Sequence, residues 1–285
     1  MSFAIRVKSF FPAFACTLWV FGISFEARGQ GVNPPVLPPQ QPGEIIPEVA
    51  PQPAPSIAVE LVGDEGSKTL SQRTESESRQ FVIHGSDFVT RGAIASLAEN
   101  TRASLLETIG KDEEGWENAI AVQLRDGVSP MKTNFFHVPG GYRLQLDVFL
   151  GRGKPAGLET ALLELLLIEI GLRGRADDPA QSVGIPAWLV EGLIESFRWK
   201  RGERERALYA ALFKNNELYP VRQLLGIRRL EEQDAIARAA FRASSGALVM
   251  SLLEQDGGRE SMWGMLRELS AFEGDEMTLL LKHFP

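Results

Sequence analysis

The residues that most limit how this chain can fold run from Leu158 to Gly171, an apolar stretch of helix length whose centre reads Ala161-Leu-Leu-Glu-Leu-Leu-Leu-Ile-Glu-Ile170. A surface helix carries its apolar residues on one stripe, but here they go almost all the way round, so neighbours must cover this segment on more than one side. Glu164 and Glu169 interrupt its apolar centre. At about 100° per residue they stand about 140° apart, too far to share one face. A lone carboxylate in such surroundings has a raised pKa unless a cation pairs with it. A helix of this kind belongs in the middle of a layered fold.

The segments before it read as strands around one helix. Ile57-Ala-Val-Glu-Leu-Val62, Arg79-Gln-Phe-Val-Ile-His84 and Ala119-Ile-Ala-Val-Gln-Leu124 have strand character. The clearest strand is Tyr142 to Leu150, where Tyr142, Leu144, Leu146, Val148 and Leu150 alternate with mostly polar residues. Between the second and third strands, Ile94, Leu97, Ala98, Thr101, Leu105 and Ile109 recur at helical spacing over Phe88 to Ile109, and Gly110 ends the helix. Phe135-Phe-His-Val-Pro-Gly-Gly141 reads as a turn. Pro186 opens a helix to about Trp199, and the rest is helical: Glu203 to Lys214, Val221 to Leu225, Glu231 to Gln255, Glu260 to Leu269 and Asp275 to His283. The expected class is α+β, with a small twisted N-terminal sheet packed on the buried helix and a helical C-terminal half.

Three stretches divide the chain. Residues 1–29 read as a signal peptide, with Arg6 and Lys8 before an apolar run from Phe10 to Phe25 and a small-x-small site at Ala27-Arg-Gly29. The competing reading is a membrane anchor, although Pro12, Gly22 and several hydroxyl residues break a run shorter than the roughly 20 residues a span needs. Residues 30–55 hold nine of the 17 prolines and read as a stiff, unfolded spacer. Residues 56–285 form the folded domain. The expected location is therefore periplasmic or extracellular, after cleavage near Gly29. The single cysteine, Cys16, lies inside the apolar run, so the chain has no partner thiol for an internal disulfide and its stability must come from packing. Loss of residues 1–29 removes three basic residues and one acidic one and takes the formal charge from −7 to −9. An acidic chain without a basic stripe argues against a nucleic-acid partner.

One phrase carries a family resemblance. Pro186-Ala-Trp-Leu-Val-Glu-Gly192 resembles the segment that holds the glutamate zinc ligand in gluzincin metallopeptidases of the peptidase-MA-like group, usually Pro-x-Trp-Leu-x-Glu-Gly-x-Ala. In that family a helix bearing His-Glu-x-x-His comes first, and the best match is Leu163-Glu164-Leu165-Leu166-Leu167. Ala240 to Gly257, with Phe241-Arg-Ala-Ser-Ser245 and Leu252-Leu253, resembles the family's following helix. The resemblance covers about residues 79–285 and implies a zincin-like fold. It places Glu164 at the general-base position and Glu191 at the third-ligand position.

The departure from the pattern decides the chemistry. Two histidines four apart converge on one zinc ion because they lie one turn apart on one helix face. A catalytic zinc site has three protein ligands and a water. Leu163 and Leu167 have no lone pair to offer, and the shifted register Ile168-Glu169-Ile170-Gly171-Leu172 restores no histidine. The expectation is thus no metal, no cofactor and no catalytic residue, with Glu164 and Glu191 vestigial. The function implied is that of an exported pseudo-metallopeptidase, a binding or scaffolding protein of the cell envelope that holds a peptide or envelope protein in the former substrate cleft. Two alternatives stay open: a metallohydrolase with a relocated site built from His84 or His137, and a purely structural secreted domain. Glu164 has two readings as well, a carboxylate tolerated beside an arginine or residual cavity, or part of a polar pocket with Glu191 and Glu195. Ser244-Ser-Gly246 lacks the Gly-x-Ser-x-Gly setting of a nucleophile, and no phosphate loop or dinucleotide fingerprint is present.

Overall fold

A computed structural model describes residues 72–285 except 113–115, 152–155, 176–183, 204, 229, 231–232, 271 and 273. The signal segment, the proline-rich spacer, Cys16 and the strand read over Ile57 to Val62 lie outside the described residues. Everything described belongs to one unit, Gly63–Pro285.

Alternating side chains build the sheet. Strand β2 (Phe81–His84) and strand β3 (Ile120–Arg125) bury every second residue at their starts, and β5 (Gly141–Phe149) buries Tyr142, Leu144, Leu146 and Val148. They pair in parallel, with Ile83 opposite Val122 and Val122 opposite Leu146. Two antiparallel strands complete a five-stranded mixed sheet in the order β1-β2-β3-β5-β4: β1 (Arg73–Glu75) on β2, and β4 (Lys132–Val138) on β5. The fold is α+β, as expected.

Strand β4 corrects the turn expected over 135–141. Its pairing with β5 runs from Lys132 opposite Asp147 to Val138 opposite Gly141, so only Pro139 and Gly140 turn the chain. Gly140 takes the positive φ of 89° that a proline-glycine turn of this kind requires. An edge strand with no fully buried residue has no alternation to show, which hid it among Phe135, Phe136 and His137. Strand β1 escaped notice because three residues are too few to set a period.

Helix α1 (Phe88–Ile109) matches its expected range, with the Asp87 carboxylate accepting from Thr90 N at 2.7 Å and Gly110 closing it at φ 65°. Buried Arg91 ties its first turn to the sheet edge, donating to Gly85 O at 2.6 Å and to Thr74 Oγ1 at 2.9 Å. Helix α2 (Leu158–Leu172) is the apolar segment. It packs against α1, β5, α3 and α7, and Leu162, Leu163, Leu165, Leu166, Leu167 and Ile170 have no exposed surface. Covering on several sides is what its all-round apolar surface demands.

The helical half follows as α3 (Ala187–Arg201), α4 (Arg206–Lys214), α5 (Val221–Gly226), α6 (Ala235–Leu253), α7 (Gly258–Glu268) and α8 (Glu276–His283). Among the described residues only α6 is long and apolar enough to cross a membrane, yet one face of it packs tightly on α3. A Cβ on Gly192 would meet Ser245 O and Val249 Cγ2 at 2.6 Å, and one on Gly246 would meet Glu195 Cβ at 2.9 Å. Each helix therefore meets the other at a glycine.

Candidate functional site

The two carboxylates of α2 have separate surroundings. Glu169 is fully buried and fully engaged: it accepts from Arg173 Nε at 2.7 Å, Glu117 N at 2.9 Å and Asn118 N at 3.4 Å. The Arg173 guanidinium lies 4.3 Å over the Trp116 ring and 5.4 Å from that of Trp263. Burial pushes the Glu169 carboxyl up while Arg173 and the two amides pull it down. This carboxylate ties α2 to the entry of β3. Glu164 is half-buried, and burial raises its pKa.

On α3, six of the seven residues of the Pro186–Gly192 phrase have packing or capping roles. Pro186 sets the helix start in extended backbone. The Trp188 side chain is buried, and its indole N–H donates to Glu276 Oε2 of α8 at 2.9 Å. Leu189 and Val190 are core, Ala187 packs at its margin, and Gly192 admits α6. Glu191 is the seventh. It is half-buried, and burial raises its pKa against the pull of Arg242 and Arg198, with Glu195 adding to the rise. The charges that act on Glu191 come from α3 and α6.

One turn further along, Glu195 forms the floor of a cavity of about 420 Å³ between α3, α4 and α6. Its side chain is 8% exposed. One oxygen accepts from Arg198 Nη1 at 2.6 Å and the other from the Tyr209 hydroxyl on α4. Burial and the bond to Glu195 push the Tyr209 hydroxyl up, so it stays a neutral donor. The Tyr209 ring meets Trp199 edge-on at 6.5 Å. Leu208, Ala239 and Arg242 form the walls, and exposed Glu203 and Glu205 stand at the lip. Of the residues singled out in the sequence, the structure brings Glu191 and Glu195 into one polar neighbourhood and leaves Glu164 out of it. Arg198 could have been found as the i, i+3 partner of Glu195. Tyr209 and Arg242 could not, because only the packing of α4 and α6 carries them to α3.

The histidines are dispersed. His84 ends β2 opposite Gln123, His137 lies on β4 with its ring 5.2 Å from that of Tyr142, and His283 contacts Glu268 Oε2 at 2.9 Å. Among the described residues no three His, Cys, Asp or Glu side chains are placed to hold one metal ion. The residues at the motif positions do not fit zinc, because Leu163 and Leu167 are core side chains without donor atoms. Ser244, mid-helix in α6, donates to Ala240 O at 2.7 Å and accepts from Tyr219 N at 2.9 Å, which ties the α4–α5 connection to α6. No protein-family model matches the chain, and no curated protein matches it significantly.

Proposed function

We propose that this chain is an exported, non-catalytic relative of the peptidase-MA-like zinc metallopeptidases, of zincin-like fold, that works by binding in the cell envelope. The observation that carries the reading is the state of α2: Leu163 and Leu167, where the resemblance expects imidazoles, are wholly buried in the core. The order of strand, helix, strand, hairpin and buried helix supports the resemblance, as does the Pro186–Gly192 phrase at the start of the next helix. The general-base position keeps its carboxylate, but Glu164 has no metal-bound water to act on. The binding surface is then sought on α3, where polar side chains gather at a cavity, rather than at α2.

The test is elemental analysis of the purified protein after dialysis, together with a protease assay. The expected result is substoichiometric zinc and no chelator-sensitive proteolysis. Near-stoichiometric zinc with cleavage blocked by a chelator overturns the reading. Fractionation of the producing cells tests the location: protein beginning near Gln30 in the periplasm or medium supports export, and protein of full length in the membrane fraction supports the anchored form.

A further inference from the structure

We propose that the cavity between α3, α4 and α6 binds a small zwitterion, a carboxylate and an ammonium group joined by a short apolar stem, as in an amino acid or the end of a peptide. The proposal deepens the binding role given above and rests on it for the compartment in which such a ligand is met.

The charges of the lining divide into those already used and those left over. Glu195 gives both oxygens to Arg198 and Tyr209, so the floor is satisfied and shapes the cavity without offering a charge. Glu203 at the lip pairs with Arg201 at 3.0 Å. Two lining charges remain without an ion pair among the described residues. One is Arg242, whose Nε makes a long bond of 3.5 Å to Arg238 O and leaves the terminal nitrogens open. The other is exposed Glu205, at the start of α4. Glu191 acts on Arg242 through space, but no contact within ion-pair distance joins them among the described residues. A guanidinium fork matches a carboxylate with two parallel N–H donors.

The arrangement selects against simple ions. Of the charges left over, Glu205 at the lip disfavours a lone anion and Arg242 in the lining disfavours a lone cation. A ligand bearing both signs satisfies both charges, and Leu208 and Ala239 in the same lining suit an apolar stem. The volume of about 420 Å³ falls in the range of small-molecule sites, roughly 300–1,000 Å³.

Isothermal titration of the purified protein with L-alanyl-L-leucine, its C-terminal amide, its N-acetyl derivative and L-leucine tests the proposal. Saturable binding of the dipeptide is expected, weakened roughly tenfold to a hundredfold when either end is blocked. Arg242→Gln should abolish discrimination against the amide, and Glu205→Gln discrimination against the acetylated form. Both side chains reach the surface, and thermal unfolding checks that each variant is folded. Should Arg242→Gln fail that check, Arg242→Lys keeps the charge without the fork and should weaken the free dipeptide alone. Equal affinity for L-leucine assigns the site to free amino acids, and preference for the dipeptide assigns it to peptide ends. No saturable binding at millimolar concentration, or binding indifferent to both blocking groups, overturns the proposal. These titrations use neither zinc nor proteolysis, so their failure is distinct from failure of the pseudo-metallopeptidase reading.

Discussion

Helices α2 and α3 are each 15 residues long, both lie mostly in the core, and the resemblance would place one active site across them. They treat their carboxylates differently. On α2, Glu169 is spent on holding the entry of β3, and burial raises the pKa of Glu164. On α3, Glu191 and Glu195 sit among Arg198, Arg242 and Tyr209 beside a cavity. A buried carboxylate with both oxygens engaged holds structure, whereas charges gathered at a void can meet a ligand. The pattern of a metal site can thus survive as letters while its positions serve packing on one helix and polar recognition on the next.

The largest effect should come from Glu169→Ala, which removes the carboxylate that accepts from the buried Arg173 guanidinium and two amides. A loss of about 3–5 kcal/mol is expected by denaturant unfolding. A loss below that of an exposed ion pair would erase the contrast between the helices, since Glu169 would then be no tether. Next comes Gly192→Ala, which forces a methyl against Ser245 O and Val249. Overpacking of this kind costs about 1–3 kcal/mol, and a crystal structure of the variant should show α3 and α6 further apart. A neutral result would mean that the glycine is not there for packing.

Trp188→Phe deletes the donor to Glu276 and leaves part of the buried indole's volume empty, so about 2 kcal/mol should be lost. A larger loss would show that the bond anchors α8 as a unit. Smallest is Glu164→Gln, where a gain of up to about 1 kcal/mol at neutral pH is expected. Burial lifts this carboxyl above its ordinary value of 4.5, so the folded chain holds the proton more tightly than the unfolded one. The stability it contributes is full below that value and is lost as pH rises through the raised pKa. Thermal midpoints measured against pH should therefore converge for the two proteins near pH 4.5 and separate above it. Separation in the opposite sense would place a cation beside Glu164.

Periodicity made much of this legible. Helix α1 could be bounded at both ends because Asp87 and Gly110 mark them, and β5 could be read because every second residue is apolar. The burial of α2 followed from its composition alone. Strands β1 and β4 were hidden, one by its length and one because an edge strand need not alternate. The cavity was half legible: Glu195 lies one turn from Glu191, but nothing along the chain links it to Tyr209, 14 residues on, or to Arg242 on α6.

By itself the sequence determined that α2 must be covered on several sides, that Leu163 and Leu167 bring no donor atoms, and that the single cysteine forms no internal disulfide. These are properties of side chains and their local spacing, which hold wherever the chain goes. Only the tertiary structure decided that Glu169 is a tether, that Glu191 and Glu195 act on each other, and that Arg242 and Glu205 line one cavity. Such facts depend on contacts between distant segments: Glu169 reaches residues about 50 positions earlier, and the close approach of α3 and α6 at Gly192 and Gly246 brings Arg242 to the helix of Glu195.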